Sequence, residues 1–312
     1  GAGSNGINMG ALGIGCEAVY NGPVWHVNTI GSDSTGDGSV NSPFSTIQYS
    51  INYAHGGDTV LVQPGTYYDN ISWPWINGIK LISAGDESNT VINGGGSGSV
   101  LKISYNYIYS STLIQGFTIT NGGMASQGGG GITLWYSDPT ITNVRVIQNY
   151  AYSGYSGGGI FMYSSNPTLT NINVSGNSAD YGAGGLYMDS SIPTLTNVSI
   201  TENSTSSDGG GMLLSSSSPI FINVTISGNT AELSGGGVYI KNNSSPSFAN
   251  CIMWNDFPQE IYFHDSGDSN SVTISYTDIQ DGQDSIVTNG NGTVTWSDGN
   301  IVDNPLFCAP DS

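Results

Sequence analysis

The sequence predicts an all-β solenoid: a parallel β-helix of coils about 26 residues long, with a short capping helix over its N-terminal end. Three observations predict it. A phrase recurs, written "SGGGIFMYSSNPTLTNINVSGNSA" over residues 156–179 and returning as "AGGLYMDSSIPTLTNVSITENST" from Ala183. It returns again as "GGGMLLSSSSPIFINVTISGNTA" from Gly209 and "GGGVYIKNNSSPSFANCIMWND" from Gly235, and a looser copy starts at Gly129. Glycine triplets or their equivalents therefore begin at 129, 157, 183, 209 and 235, spaced by 28, 26, 26 and 26 residues. Within each copy apolar residues alternate with polar ones, and Gly, Pro, Asn and Ser separate the alternating runs.

In chain order, residues 43–54 place Ile47 and Ile51 at helical spacing and are expected to form the cap. Strands are expected near 59–62, 79–82, 90–92, 100–103 and 113–119. In the repeats Ile160 with Met162, then Leu169, then Ile172 with Val174, mark three short inward-facing strands per coil. No coil can bury its own apolar face, so stacking is what stabilises it. Asn143, Asn171, Asn197, Asn223 and Asn250 fall at a corner where the chain leaves β geometry, and Asn tolerates the left-handed region while its amide can bond to the coils above and below. A second asparagine series runs at 149, 177, 203, 229 and 255. Cys251 takes the place of inward Val224 and is expected to be a buried small apolar residue. About ten coils at ~4.8 Å give a rod on the order of 50 Å long.

Charge narrows the function classes. Four Lys+Arg against 23 Asp+Glu give a formal net charge of −19, which offers almost nothing to phosphates and excludes nucleic acid as an expected partner. Anionic membrane surfaces are disfavoured on the same ground, and no apolar run approaches the ~20 residues of a membrane span. Neutral glycans and divalent cations stay open. In "GSDSTGDGS", Asp33 and Asp37 share a polar loop with oxygens for calcium, but the loop lacks EF-hand spacing and reads more readily as a turn-rich loop. The three histidines share no metal-ligand spacing, and no Ser/His/Asp grouping or phosphate loop is present.

The stretch "GSDSTGDGSVNSPFSTIQYSINYAHGGDTVLVQPGTYYDNI", followed by the glycine-led coils, resembles the secreted right-handed parallel β-helix repeat proteins of bacteria. These are structural relatives of pectate lyases, usually without an assigned activity. The resemblance spans roughly residues 25–308 and implies the fold and an extracellular or cell-surface location; its motifs belong to the scaffold and imply no reaction. In related sequences "VDNPLFCAPDS", which stands at 302–312 here, runs on towards a phrase like "GINMGALGIGC", which stands at Gly6–Cys16. The chain thus looks circularly shifted, and residues 1–20 are set apart from the β-helix of 21–312 as an inter-unit joint or a donated strand. The chain starts at Gly1, as expected of a processed product or a part of something longer. The assembly residues on this reading are Ile7, Met9, Leu12, Ile14 and Cys16 at one end and Pro305, Leu306, Phe307 and Cys308 at the other, with Cys16 and Cys308 a candidate disulfide.

The resulting expectation is an extracellular structural protein whose units associate head to tail, more readily than an enzyme. The alternative is a glycan-binding or glycan-cleaving module. On the strand after each glycine triplet, Phe161, Tyr187, Leu213 and Tyr239 point outward, and Trp135 and Tyr163 belong to the next outward row; such a stripe is expected to stack on sugar rings or on another rod, or else to lie under a loop. Asp180 and Glu232 occupy equivalent places two coils apart, ~9–10 Å between Cα atoms, with Asp208 on the coil between, a separation that suits an inverting glycosidase. A polyuronate lyase is disfavoured, because the few bases are scattered, only Lys241 is near the stripe, and the net charge repels an acidic polymer.

Overall fold

The computed structural model describes residues 23–104, 108–123, 128–152, 156–265 and 268–307. Its strands form three parallel sheets of 16, 9 and 4 strands wound around one apolar core, and each pairs with the equivalent strand of the next coil. Register follows the repeat: Ile132, Ile160, Leu186, Met212, Val238, Ile261 and Ile286 stand in one column of the nine-stranded sheet. The first six are fully buried, as alternation requires.

The second and third strands expected in each coil are one eight-residue strand, such as Thr168–Ser175, bent at its asparagine. Asn171 sits at φ 55°, and its Nδ2 donates to Asn143 Oδ1 over 2.9 Å; Asn197 and Asn223 repeat the bond at 3.1 and 3.0 Å. The two-residue strands Tyr150–Ala151, Ser178–Ala179, Ser204–Thr205 and Thr230–Ala231 form the small third sheet. The second asparagine series lies inside the corner that leads there. Asn177 donates through both its backbone N–H and its Nδ2 to Asn203 Oδ1, each over 3.0 Å, and the same pair of bonds links every step from Asn149 to Asn229. Its last acceptor is Asp256 rather than the expected Asn255, because the coil from Asn229 is one residue longer than the 26-residue coil before it.

The glycine triplets serve close approach as much as turning. A Cβ at Gly184 would lie 2.4 Å from the backbone oxygen of Ser204, and one at Gly158 would lie 2.5 Å from that of Gly184. The expected helix is shorter than its sequence pattern, Ile47–Tyr53, with Thr46 as N-cap and Pro43 and Phe44 left outside. Ile47 and Ile51 are fully buried in the core, so the helix does close the first coils. It is not long or apolar enough to cross a membrane. The segment expected at 113–119 is two strands, Leu113–Gln115 and Thr118–Thr120, separated by Gly116 at φ 84°. Cys251 is 2% exposed and fills its core position as expected.

The two ends of the solenoid differ. Beyond the first strand, Val24–Val27, the chain folds back so that His26 N–H donates to Gly38 O and Phe44 N–H to His26 O, which covers that edge. The last strand of the long sheet, Gly292–Trp296, pairs on one side only among the described residues.

Candidate functional site

The outer face of the nine-stranded sheet carries the aromatic stripe in the expected register: Thr133, Phe161, Tyr187, Leu213, Tyr239 and Tyr262 form one row. Of the two expectations for it, an exposed stripe or one lying under a loop, the second describes Phe161, Leu213 and Tyr239, while Tyr187 and Tyr262 are half-buried. Phe161, Leu213 and Tyr239 are 9%, 3% and 5% exposed, because the glycine-led turn before each strand folds over the row. Ala183 packs with Leu213 and Tyr239, and Gly209 and Gly235 lie so close that a Cβ would sit 3.0 Å from Leu213 and from Tyr239. Phe161 and Tyr187 still stack, with ring centroids 5.3 Å apart, but as a covered ladder. Burial, reinforced by the Asp189 charge, pushes the Tyr187 phenol up to about 12.

The next row is Trp135, Tyr163, Asp189, Ser215 and Lys241, half-buried apart from the buried Ser215. Trp135 and Tyr163 stack at 4.8 Å, and the exposed Tyr136 meets Tyr163 edge-on at 5.5 Å, so three rings make a ledge at one end. Four strand spacings, about 19 Å, separate Trp135 from Lys241. The far end is polar and titratable. The Tyr239 hydroxyl hydrogen-bonds His264 Nδ1, and burial together with the Asp208 charge drives the Tyr239 phenol upward. Burial also raises the Asp208 carboxyl, against the opposing charges of Lys241 and His264.

The three carboxylates singled out from the sequence do not form one group. Asp180 and Glu232 are equivalent, since Asp180 N–H donates to Ala151 O and Glu232 N–H to Thr205 O. Asp180 accepts from the Tyr150 hydroxyl, Glu232 stands exposed, and Asp208 belongs instead with Lys241 and His264. Asp33 and Asp37 brace their own loop: Asp33 accepts from Ser45 N–H, Thr46 N–H and the Thr46 hydroxyl, and Asp37 from Ser39 N–H. Those hydrogen bonds outweigh partial burial at Asp33 and hold both carboxyls below the ordinary range. Among the described residues no three His, Cys, Asp or Glu side chains converge as metal ligands. Of the assembly residues, Leu306 and Phe307 are exposed and Pro305 is half-buried; Ile7, Met9, Leu12, Ile14, Cys16 and Cys308 lie outside the described residues.

A second site was not anticipated. A cleft of about 570 Å³ opens at the corner between successive coils, lined by residues 255–260 and by Gln280, Asp281, Asp284 and Ser285. Its wall holds two buried carboxyls. Asp256 Oδ1 ends the asparagine series, accepting from Asn229 N–H at 2.7 Å and Nδ2 at 2.8 Å, and Glu260 Oε1 accepts from Asp256 N–H at 3.1 Å. The second oxygens, Asp256 Oδ2 and Glu260 Oε2, are buried, and the two carboxyls hydrogen-bond each other through the Glu260 proton. Burial pushes both carboxyls up, Asp256 to about 6 and Glu260, which also faces the Asp256 charge, to about 9. The signal for this site was the extra residue in the coil that follows Asn229, which puts Asp where the series has Asn.

The winding, the corner asparagines and the covered core define a parallel β-helix. The family described as "Right handed beta helix region" matches residues 77–230 and 196–309, and the chain belongs to it. The solved pectate lyase Pel9A is similar at 14% identity over 92% of this chain and 80% of its own, with a TM-score of 0.52. A pectin methylesterase solved in complex with hexasaccharide VII is similar at 13% identity over 88% and 93%, with a TM-score of 0.49. Identities this low show the fold alone: the chain shares its β-helix with that pectate lyase. No curated protein sequence matches it.

Proposed function

We propose that this protein is an extracellular glycan-binding β-helix whose binding row runs from the Trp135–Tyr136–Tyr163 ledge to Lys241. The observation that carries the reading is the in-register row beside the covered stripe: half-buried stacked rings at one end, then Asp189 and, across the buried Ser215, Lys241. Stacked half-exposed rings present apolar faces to sugar rings, and the polar side chains beyond them present hydrogen-bonding groups to sugar hydroxyls. The fold shared with that pectate lyase supports the same class of ligand. A glycan array followed by titration of the strongest hits tests it. Tyr163→Ala and Trp135→Ala are expected to weaken binding by about tenfold each, the effect of losing one stacking contact. Undiminished binding in both would refute the row as the site.

A second reading, end-to-end association of copies, draws support from the unequal ends. The Gly292–Trp296 edge is unpaired among the described residues, and Ile301, Val302, Leu306 and Phe307 beside it are exposed. Such an edge is a template for strand addition. Residues 7–16 would supply the strand from a neighbouring copy. Light scattering of the full chain and of a variant lacking residues 1–16 tests this; identical masses for the two would sink it.

A further inference from the structure

The solenoid closes its core at one end and leaves it open at the other. At the open end, Val294 and Trp296 of the last strand stand opposite Val272 and Ile274 one coil earlier. The earlier pair is fully buried, while Val294 and Trp296 pack on the core and stay half-buried. A terminal coil without cover exposes the apolar face that every inner coil buries on its neighbour. At the closed end the inward Val27 of the first strand is fully buried, in one core with Ile47 and Ile51 of the capping helix. Outside that seal lies a layer of rings that the seal does not need. The Tyr53 ring lies 5.2 Å from that of Phe44 and 5.1 Å from that of Tyr49, and Tyr53 is 48% exposed. Residues 38–57, which build this end, hold no Asp, Glu, Lys or Arg in a chain of net charge −19. The nearby carboxylates are turned to the chain's own donors: Asp58 accepts from Trp25 Nε1 and His55 N–H, Asp33 from Thr46 N–H, and Asp69 from Ile47 N–H.

We infer that the tyrosine cap, Tyr49 and Tyr53, is a docking surface for the open last coil of a second copy of this chain, where it covers Val294 and Trp296. The inference rests on the end-to-end association read above, though not on a donated strand, and gives that association a contact surface. The two apolar faces lie at opposite ends of one rod, so a contact between them is heterologous and propagates from copy to copy. Charge favours the same occupant. The open end carries the exposed Asp298 and Asp303, and a cap whose own stretch has no carboxylate meets them without the like-charge repulsion that so acidic a chain imposes elsewhere. Reach agrees as well. If residues 7–16 pair with Gly292–Trp296 of a neighbour, the eight steps from Cys16 to Val24 extend to about 27 Å at most, which holds the cap beside that neighbour's last coil. Tyrosine rings supply large contact area at low cost in side-chain entropy, which suits them to such a joint.

The experiment is sedimentation of the full chain over a concentration series, beside a cap variant (Tyr49→Asp with Tyr53→Asp), an open-end variant (Val302→Asp with Leu306→Asp) and the variant lacking residues 1–16. Each tyrosine lost is expected to weaken end-to-end association by about tenfold. The cap variant keeps an intact open end and the open-end variant an intact cap, so neither should assemble alone, while a mixture of the two should form a heterodimer and stop. Circular dichroism checks that the variants fold. Oxidative footprinting of the unsubstituted chain gives a readout free of that concern: Tyr53 and Trp296 should be protected together in the assembled fraction relative to the dilute chain. Unchanged assembly of the cap variant would overturn the inference while leaving strand donation standing, and so would a Tyr53 that stays reactive in the assembled fraction. Assembly that is lost in the cap variant but survives removal of residues 1–16 would uphold the cap and sink the donated strand. A chain that is monomeric at every concentration would refute end-to-end association, and this inference would fall with it.

Discussion

Glu260 carries the sharpest consequence for stability. Its burial, and then the Asp256 charge beside it, raises its pKa from the ordinary 4.5 to about 9. In the unfolded chain the group ionises near its ordinary value, so between pH 4.5 and 9 the folded protein keeps a proton that the unfolded chain has lost. The stability this proton supports is complete below the lower value and is lost as pH rises through the upper one. One proton corresponds to ~1.4 kcal/mol per pH unit at most, and with relaxation around the site we work with about 1 kcal/mol, or roughly 2 °C in thermal midpoint per unit. Glu260→Gln removes the ionisation but keeps an oxygen to accept from Asp256 N–H, and its amide can donate to the Asp256 carboxylate in place of the Glu260 proton. Thermal melts of both proteins from pH 5 to pH 8 are the assay. The midpoints should nearly coincide at pH 5 and separate steadily, with the variant about 3 kcal/mol more stable at pH 8. Titration of the remaining carboxyls is common to both proteins and cancels in the difference to first order. Parallel curves would refute the reasoning, and so would a variant that is less stable throughout.

Asn203→Ala removes the two bonds that Asn177 N–H and Nδ2 give to Asn203 Oδ1 and the two that Asn203 Nδ2 gives to Val174 O and Asn229 Oδ1, leaving the buried Asn177 N–H without an acceptor, so a loss of about 3 kcal/mol is expected, measured by urea denaturation. Asn197→Gly, in the exposed series at φ 55°, should cost at most about 1 kcal/mol, because glycine accepts that backbone and only one amide bond on each side is lost. Burial pushes the Cys251 thiol up to about 11, so in the native protein it should resist a thiol reagent at pH 8 and react on unfolding; rapid native labelling of Cys251, located by peptide mapping, would contradict the core placement.

The parts of this molecule that could be read from sequence are those in which a residue type is forced by backbone geometry. Asn171 and its equivalents must adopt the left-handed region once in every coil, so the period, the corner and the stacked amides were all visible together. Inward and outward faces were visible for a similar reason, since alternation is a property of the strand itself. Whether an outward face meets water is a property of something else. Phe161, Leu213 and Tyr239 point outward as predicted, yet Ala183 and the glycines of the turns lie over them, and nothing in a two-residue alternation records that. The small residues at those turns were the only trace, and small residues also mark turns that cover nothing. The cleft was lost in another way. Counting 26 residues from Asn229 ends on Asn255, a residue of the expected type, while the coil is one residue longer and the true position holds Asp256. There an amide is replaced by a carboxyl that still accepts both Asn229 bonds but brings a second oxygen and a charge into the wall next to Glu260. A solenoid in which each coil depends on its neighbours keeps its packing even when one coil departs from the pattern. The departure that the packing tolerates without needing it, an added residue and an unmatched acid, is therefore where chemistry beyond the scaffold is to be sought.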